Sequence, residues 1–517
     1  MGNNQNVPYG RFSQKEFPLS ESSPAKPNLV YIFADDMGVG DVSCMNPECV
    51  WETPCLDTMA EEGLIGEDAH SSSAVCTPSR YALLTGRYNW RSILKSGVTS
   101  GYSKSILEKG RVTVASLLKK QGYKTACVGK WHLGLEWSLK EGAEGPGGRG
   151  EGVDFSGAIG NGPTAFGFDH YFGISASLDM SPYVYIQDDH VTALPDKEFP
   201  MTEGKKYMRN GPISPDFDAE EVLPKCTEKV ESLIADYAES EDPFYIYFPL
   251  PAPHTPILPT EEFRGKSGAN EYGDFCLQVD DVVGRVNKAL KKNGLSENTI
   301  VIFTSDNGCS PMADYEELAE VGHNPSYVYR GHKADIYEGG HRVPFVMKWP
   351  SAIPAGSVCK ETFCLSDLMA TMAEITGASL PENAGEDSVS SLPLWTGEAD
   401  GPVRESIVHH SINGSFSIRK GKWKLEMCAG SGGWSFPKPN SEEVKALPAV
   451  QLYDLEADIG EKTNLEAENP ALVKEMREDL VKIIKLGRST PGAPQKNTGS
   501  PYWDKLTWLD PSELELT

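Results

Sequence analysis

Two short apolar runs, each followed at once by oxygen-bearing side chains, limit the possible folds of this chain more than any other feature. The first run covers residues 28–34 (NLVYIFA) and the second covers residues 299–304 (TIVIFT). The oxygen donors that follow them are Asp35, Asp36, Asp306 and Asn307. Continuous apolar runs of this length are typical of strands buried on both faces of a parallel sheet. Because ligands of open α/β sheets bind beyond the carboxyl ends of the strands, the sequence predicts an α/β fold with a site at that edge.

The adjacent carboxylates of Asp35 and Asp36 favour a cation at this edge. Two neighbouring carboxylates repel each other unless a positive charge lies between them. Carboxylate and amide oxygens are the hard donors that calcium prefers. The alternative is an ordinary capping turn that leads into the next helix.

The stretch 76–87 (CTPSRYALLTGR) places a cysteine at the start of a predicted helix. Pro78 suits a first helical turn, because its missing N–H would be unpaired there in any case. A group at this position faces free backbone N–H groups and the positive end of the helix dipole, and Arg80 adds a fixed positive charge. The pattern therefore combines a cysteine with an anion site. A buried structural thiol is the alternative interpretation.

The segments Cys-Thr-Pro-Ser-Arg and Leu-Leu-Thr-Gly-Arg within this stretch resemble the signature of the type I sulfatases. In that family the matching cysteine is oxidised to formylglycine by an enzyme that reads the pattern Cys-x-Pro-x-Arg, and Cys76 fits this pattern fully. Further segments resemble the family in the same order, so that the resemblance spans roughly residues 27–465: GKWHLG at 129–134, GFDHYFG at 167–173, residues 329–344 and residues 451–465.

The resemblance implies an alkaline-phosphatase-like α/β fold, with a large mixed sheet between helices and a smaller C-terminal antiparallel sheet plus a helix. The hydrophobic pattern agrees, since residues 406–411, 416–419 and 423–428 alternate like antiparallel strands and residues 470–485 read as a helix. We expect a flexible leader over residues 1–26, a catalytic domain over 27–401 and an α+β subdomain over 402–517.

The resemblance also implies the residues of the site and their roles. One calcium ion would be bound by Asp35, Asp36, residue 76, Asp306 and Asn307. The catalytic set would be Cys76 as formylglycine, Arg80, Lys130, His132, His254 and Lys333. Asp306 is expected to act as the base for nucleophilic attack, His254 to protonate the leaving oxygen, and His132 to release sulfate by taking a proton from the second hydroxyl. Lys130 and His132 are two residues apart, and an extended segment would point both side chains to one face.

The implied activity is hydrolysis of sulfate monoesters, and the segments around Lys130 and Phe172 resemble sulfatases that act on 6-sulfated galactose or N-acetylgalactosamine. Aromatic and cationic side chains suit a sulfated sugar. The candidates for substrate binding are Tyr183, Tyr185, His190, Arg209, His341, Arg419 and Trp434. Two other functions stay open: a phosphonate or phosphodiester hydrolase that uses the same site, and a non-catalytic binder of sulfated glycans.

Composition and charge limit the possible binding partners and the possible cellular location of the protein. The net charge of −26 argues against a nucleic-acid partner and requires that any anion site be a local basic pocket. The sequence has no apolar run long enough for a membrane span. Residues 1–26 are polar and lack the apolar core of a signal peptide, whereas the family resemblance implies an exported protein that is matured by the formylglycine-generating enzyme. The 11 cysteines permit disulfides without establishing any, and no Cys-x-x-Cys pair supports a zinc site.

Overall fold

The computed structural model of the protein describes residues 26–514. The helices are α1 (Pro54–Glu61), α2 (Cys76–Thr85), α3 (Val114–Lys120), α4 (Val222–Tyr237), α5 (Glu271–Lys292), α6 (Tyr315–Glu320), α7 (Glu338–His341), α8 (Leu368–Thr376), α9 (Leu392–Trp395) and α10 (Pro470–Leu486). The strands are β1 (Asn28–Ala34), β2 (Leu64–Gly66), β3 (Ala69–His70), β4 (Lys124–Lys130), β5 (His170–Ile174), β6 (Ile186–Gln187), β7 (His190–Val191), β8 (Lys197–Phe199), β9 (Gly211–Ile213), β10 (Phe244–Pro249), β11 (Thr299–Ser305), β12 (Phe345–Lys348), β13 (Ser357–Cys359), β14 (Phe363–Cys364), β15 (Ile407–His410), β16 (Phe416–Lys420), β17 (Trp423–Glu426) and β18 (Gln451–Asp454).

A ten-stranded mixed sheet forms the centre of the molecule, in the order β13-β2-β12-β11-β1-β10-β4-β5-β6-β7. The strand β1 lies between β11 and β10 and is parallel to both, and β4 continues the parallel set beside β10. The strand β12 is antiparallel to β11. Because the carboxyl ends of β1, β4, β10 and β11 point the same way, the loops that follow them meet at one edge.

Both faces of this sheet are buried, which explains why its central strands read as continuous apolar runs. Leu29, Tyr31 and Phe33 of β1 face a core that α2, α3 and α8 cover. Val30 and Ile32 alternate with them and face a second core beneath α1, α4 and α5. The predicted large mixed sheet between two layers of helices is therefore confirmed.

A four-stranded antiparallel sheet, β15-β16-β17-β18, follows near the C-terminus. Its apolar side chains pack against Met476, Leu480 and Ile484 of α10. Tyr88 and Trp90, from the segment after α2, join the same core. The predicted antiparallel sheet with a helix is confirmed, whereas the division at residues 401 and 402 stays a prediction.

Several predicted elements agree with the structure within one to three residues. The helix expected over 470–485 is α10, and the three strands expected between 406 and 428 are β15, β16 and β17. The fourth strand of this sheet, β18, was not expected as a strand. Within residues 26–514 no helix is both long and apolar enough to cross a membrane. The expected leader, residues 1–26, lies almost entirely outside the described residues.

Candidate active site

The carboxyl edge of the central strands carries the acidic residues that the sequence pattern indicates. In the parallel pair of β1 and β11, Ala34 lies beside Ser305, so the next residues along each strand are neighbours. Asp35 and Asp306 are these next residues, and both are fully buried. The two strand ends therefore bring their oxygen donors together as expected.

Cys76 is the first residue of α2, and Pro78 lies in the first turn as its missing N–H allows. Val75 caps the helix in an extended conformation, and the helix ends at Gly86, which has φ +62°. Every residue of α2 is buried. The Cys76 thiol lies 3.5 Å from Oδ1 of Asp35. Burial raises the pKa of this thiol far above its ordinary value, against the opposing effect of Lys130 and Lys333, so the thiol is protonated at neutral pH.

Three cationic side chains pair with the carboxylates of the site. Nζ of Lys130 lies 2.6 Å from Oδ2 of Asp35, and Nζ of Lys333 lies 2.6 Å from the Asp36 carboxylate. Arg80 donates two hydrogen bonds to Oδ2 of Asp306, at 2.7 and 3.1 Å. The site therefore holds positive and negative charges in close balance.

The same charges separate the pKa values of two neighbouring carboxyl groups. Burial alone would raise the pKa of Asp35, but Lys130, His254 and Arg80 hold it well below its ordinary value. Burial, together with the negative charge of Asp35, raises the pKa of Asp306 to about 7. A cation beside Asp306 would lower the pKa of its carboxyl group, because a positive charge favours the ionised carboxylate.

The site contains a group of side chains that could hold a metal ion. Asp35, Asp36, Cys76 and His254 can each offer one ligand atom, and these atoms lie within 4.8 Å of one another. Asn307 donates a hydrogen bond of 2.8 Å from Nδ2 to Oδ1 of Asp36. The other amide atom of Asn307, Oδ1, is buried and has no hydrogen-bond partner among the described residues. An unpaired buried oxygen beside clustered carboxylates fits a bound calcium-like ion.

His132 follows β4 with a left-handed φ of +56°, so its backbone is not extended as the sequence pattern suggested. Its Nε2 faces the carbonyl oxygen of Thr99 at 2.8 Å and therefore carries the hydrogen. Its Nδ1 is buried and has no partner in the described chain. Burial, reinforced by Lys130 and Arg80, holds the pKa of His132 well below its ordinary value. The ring is therefore neutral, with a free lone pair on Nδ1.

His254 follows β10 and lies close to Ser177, which binds Lys130, and to Asp36, which pairs with Lys333. Its Nε2 lies 3.2 Å from Oγ of Ser177 and 3.6 Å from Oδ2 of Asp36. Ser177 also accepts a hydrogen bond of 2.8 Å from Lys130. Burial and the charge of Lys333 lower the pKa of His254. Ser177 was not among the sequence candidates, since it falls in a segment without a clear periodic pattern.

A cavity of about 540 Å³ opens over the Cys76 thiol. Its wall contains six of the sequence candidates: Cys76, His132, Arg209, His254, Lys333 and Trp434. It also contains residues that sequence reasoning missed, among them Ser177, Asp179, His332 and Lys438. Ser177, Asp179 and Lys438 lie outside the segments that resemble the family, and they meet only in the folded chain.

Asp335 fixes two parts of this wall to each other. Its Oδ1 accepts hydrogen bonds from the backbone N–H groups of Trp434 and Ser435, at 2.8 and 3.0 Å. Its Oδ2 accepts the backbone N–H of His332 at 3.0 Å. Trp434 is 41% exposed, so an aromatic side chain on an anchored backbone is accessible next to the segment that carries Lys333.

The structure corrects the assignment of Tyr183 and Tyr185 to the sugar pocket. Their exposures are only 1% and 2%. Both rings pack against Phe217, and Tyr185 also stacks on Phe172. These tyrosines therefore belong to the core, since neither lines the cavity.

The assignments of His190, His341 and Arg419 to the sugar pocket are corrected in the same way. His190 lies on the exposed strand β7, paired with Asp189. His341 is completely buried and stacks on His409 at 3.8 Å. Arg419 pairs with Asp68 at 2.7 Å. None of the three lines the cavity over Cys76, because each lies on a different part of the fold.

Comparison with known proteins identifies the family. The sulfatase family model matches residues 27–378. An N-acetylgalactosamine-6-O-sulfatase of Bacteroides thetaiotaomicron is 35% identical over 498 residues, which cover 89% of this chain and 93% of that protein. Human arylsulfatase A is 32% identical, over 85% of this chain and 83% of that protein.

Solved structures agree with this relationship. A structure from work on glycosaminoglycan metabolism by Bacteroides thetaiotaomicron has a TM-score of 0.77 and 33% identity, and it covers 89% of this chain and 99% of that chain. A phosphonate monoester hydrolase of Agrobacterium radiobacter, with a TM-score of 0.55 and 18% identity over 88% of this chain and 95% of that chain, shares the fold. The chain therefore belongs to the sulfatase family and is a sulfuric ester hydrolase.

Proposed function

We propose that the protein removes sulfate esters from a sulfated carbohydrate with a formylglycine derived from Cys76. The observation that carries this proposal is the position of Cys76, which opens α2 and lines the cavity together with Lys333, His132 and His254. An unmodified cysteine is a poor nucleophile here, because burial raises the pKa of the thiol and only the thiolate attacks readily. Conversion to a hydrated aldehyde would give this position hydroxyl groups instead.

We propose Asp35, Asp36, Asp306, Asn307 and residue 76 as the residues that hold a calcium ion. The clustered carboxylates and the unpaired Oδ1 of Asn307 support this set. A bound calcium would lower the pKa of a hydroxyl at position 76 and would attract the sulfate oxygens.

The remaining charges suit the transfer of a sulfuryl group. Arg80, Lys130 and Lys333 are buried cations beside the clustered carboxylates, and Lys333 also lines the cavity. Together they would stabilise the negative charge on the sulfuryl oxygens. Asp306 would accept the proton of the attacking hydroxyl, because a bound cation would keep its carboxylate ionised and therefore able to act as a base. The hydroxyl oxygen forms a bond to sulfur while the bond between sulfur and the ester oxygen breaks.

Two histidines would complete the proton transfers. His254 lines the cavity beside Lys333 and would give a proton to the leaving ester oxygen. His132 has a free lone pair on Nδ1 and would take the proton of the second hydroxyl. The bond between carbon and the sulfate oxygen then breaks, sulfate leaves and the aldehyde returns, ready to be hydrated again.

A sugar is the substrate that the cavity wall favours. The exposed indole of Trp434, whose backbone N–H is bound by Asp335, would stack on a sugar face. We propose a galacto-configured sugar, because the Bacteroides thetaiotaomicron relative is named an N-acetylgalactosamine-6-O-sulfatase. We also propose that the protein is exported and that the formylglycine-generating enzyme acts on it during maturation.

The mass of the peptide that carries Cys76 tests this proposal. In protein made together with the modifying enzyme, conversion of the thiol to the aldehyde lowers the mass by about 18 Da. Kinetics on a panel of sulfated sugars, with matched phosphate esters and phosphonates, then measures the reaction. An intact thiol in fully active protein would refute the formylglycine nucleophile. Faster hydrolysis of phosphate esters or phosphonates would favour the alternative hydrolase, and a lack of galacto-preference would remove the sugar assignment.

A further inference from the structure

Arg209 is a cation of the cavity wall whose backbone is fixed on both sides. Its N–H donates to the carbonyl oxygen of Asp179 at 2.9 Å. Its own carbonyl oxygen accepts a hydrogen bond of 2.6 Å from Oη of Tyr183. Tyr183 is almost completely buried, so this buried tyrosine helps to hold an arginine that faces the cavity.

The guanidinium of Arg209 is held at one end and free at the other. Its Nε lies 3.3 Å from Oδ2 of Asp179, whose side chain is only 7% exposed. The side chain of Arg209 is 47% exposed. Within residues 26–514 neither terminal nitrogen of Arg209 has a hydrogen-bond partner. An arginine oriented in this way presents a pair of parallel N–H donors, which match a carboxylate or a sulfate.

This free donor pair is separate from the cations that serve the reacting sulfate. Lys130, Lys333 and Arg80 each pair with a carboxylate of the proposed metal site. Arg209 pairs with no residue of that site. A second cation, Lys438, lines the same cavity from the loop that carries Trp434, and its Nζ has no ion-pair partner in the described chain.

Arg209 and Lys438 are cations in the cavity wall of a molecule whose net charge is strongly negative. The chain has a net charge of −26, which repels anions at long range. Two cations without full partners in one cavity wall therefore favour an anion at that place. The cavity volume of about 540 Å³ is within the range that encloses an organic ligand larger than a sulfate group.

We propose that Arg209, with Lys438 at the mouth of the cavity, binds a second anionic group of the substrate, either a carboxylate or a second sulfate ester. The substrate class would then be a sugar that carries one anion besides the sulfate that is removed. This inference rests on the proposed function. Arg209 acts in substrate recognition, so the removal of its side chain affects substrates with the second anion far more than substrates without it.

Steady-state kinetics on three matched substrates tests the inference: a neutral monosulfated sugar, the same sugar linked to a uronic acid, and the same sugar with a second sulfate ester. For Arg209→Ala we expect kcat/KM to fall about 10- to 100-fold on a substrate with the second anion, because a charge-assisted bidentate contact is lost. On the neutral monosulfated sugar we expect a change of less than about 2-fold, because that substrate cannot make the bidentate contact. Arg209→Lys should recover only part of the lost kcat/KM, since lysine keeps the positive charge but lacks the two parallel N–H donors of the guanidinium.

Arg264→Ala is the matched control, because Arg264 is also half-exposed and paired with one carboxylate, that of Glu220, but does not line the cavity. The anionic substrate on which Arg209→Ala loses more identifies the second group as carboxylate or sulfate. Equal losses on all three substrates, or no loss on either anionic substrate, would overturn the inference. If the wild-type protein hydrolyses none of the three, the proposed function fails and the inference fails with it.

Discussion

Asn307 offers a direct test of the metal at the site. Its Oδ1 is buried without a partner, while its Nδ2 bonds to Asp36. We expect calcium to raise the melting temperature of metal-stripped protein by several degrees, since a ligand at about 100 times its Kd stabilises the folded state by about 2.7 kcal/mol. Asn307→Leu removes the amide oxygen and should reduce this shift, measured by calorimetry with and without calcium.

The control for this measurement is Asn287→Leu. Asn287 lies on α5 and bonds to the carbonyl oxygen of Val283, away from the proposed metal ligands. This variant should keep the full calcium-induced shift. A shift of the same size in Asn307→Leu would contradict the assignment of Asn307 as a ligand.

Cys76 is the residue on which the chemistry depends. Cys76→Ala should abolish turnover of sulfate esters, because alanine cannot be converted to formylglycine. The fold should persist, since alanine is the best helix former and the change removes one sulfur from the start of α2. Circular dichroism and a sulfate-release assay measure the two effects.

Cys359→Ala provides the comparison, because Cys359 lies on β13 and does not line the cavity. It should keep its activity. Residual turnover of Cys76→Ala near the wild-type rate would refute the proposed nucleophile.

The helix α2 depends on the glycine at its end. Gly86 has φ +62°, and a Cβ placed there would lie 2.9 Å from the Cα of Gly385 and 2.9 Å from the Cβ of Ser388. Gly86→Ala therefore combines the cost of a left-handed conformation, about 1 kcal/mol, with steric overlap that costs about 1–3 kcal/mol more. Denaturation in urea should show a loss of stability equal to the sum of these two costs. The kcat should also fall, because α2 positions residue 76 and Arg80.

Gly377 ends α8 in nearly the same conformation, with φ +67°, but a Cβ there meets nothing within 4 Å. Gly377→Ala should thus lose only the conformational cost of about 1 kcal/mol and should leave kcat unchanged. Equal losses of stability in the two variants would show that the contacts around Gly86 do not matter.

Sequence patterns predicted those helices and strands whose local residue pattern agrees with their burial in the folded chain. The strands β1 and β11 were recognisable because both of their faces are buried, and the start of α2 was recognisable from Pro78. His132 was placed on an extended segment because nothing in the local sequence reveals its positive φ. Ser177 was missed, since it reaches Lys130 and His254 only through tertiary structure.

Substrate residues were the least predictable part of the site. An aromatic or cationic side chain has the same local signal whether it packs in a core or faces a cavity. Tyr185 stacks on Phe172, whereas Trp434 is exposed and its backbone N–H is bound by Asp335. The difference depends on partners that are distant in the chain, and only the fold separates the two cases.

A buried ionic cluster joins the small C-terminal sheet to the large sheet. Asp68, just before β3, bonds to both terminal nitrogens of Arg419 on β16, at 2.8 and 2.7 Å. It also lies 3.1 Å from Arg342 and 2.8 Å from Nε2 of His70. Glu338 lies 3.4 Å from Arg342 and 3.7 Å from Arg419, so two carboxylates balance two buried guanidinium groups at the junction of the two sheets, and Asp68 makes the shorter contacts.

Asp68→Asn should destabilise the whole molecule by up to about 3–5 kcal/mol at pH 7, because it removes one of the two carboxylates that pair with the buried guanidinium groups of Arg342 and Arg419. Although burial alone would raise the pKa of Asp68, Arg342, His70 and Arg419 hold it far below its ordinary value. The stabilisation is therefore fully present above the pKa of an unfolded aspartate, about 3.9, and is lost as the pH falls further. Urea denaturation at pH 7 and at lower pH values should show that the stability difference between Asp68→Asn and wild type shrinks only below about pH 4.

Glu442→Gln is the control, because it breaks an exposed ion pair with Lys445 and should cost less than about 0.5 kcal/mol of stability. A cost as small as that in Asp68→Asn would mean that the cluster does not hold the two sheets together.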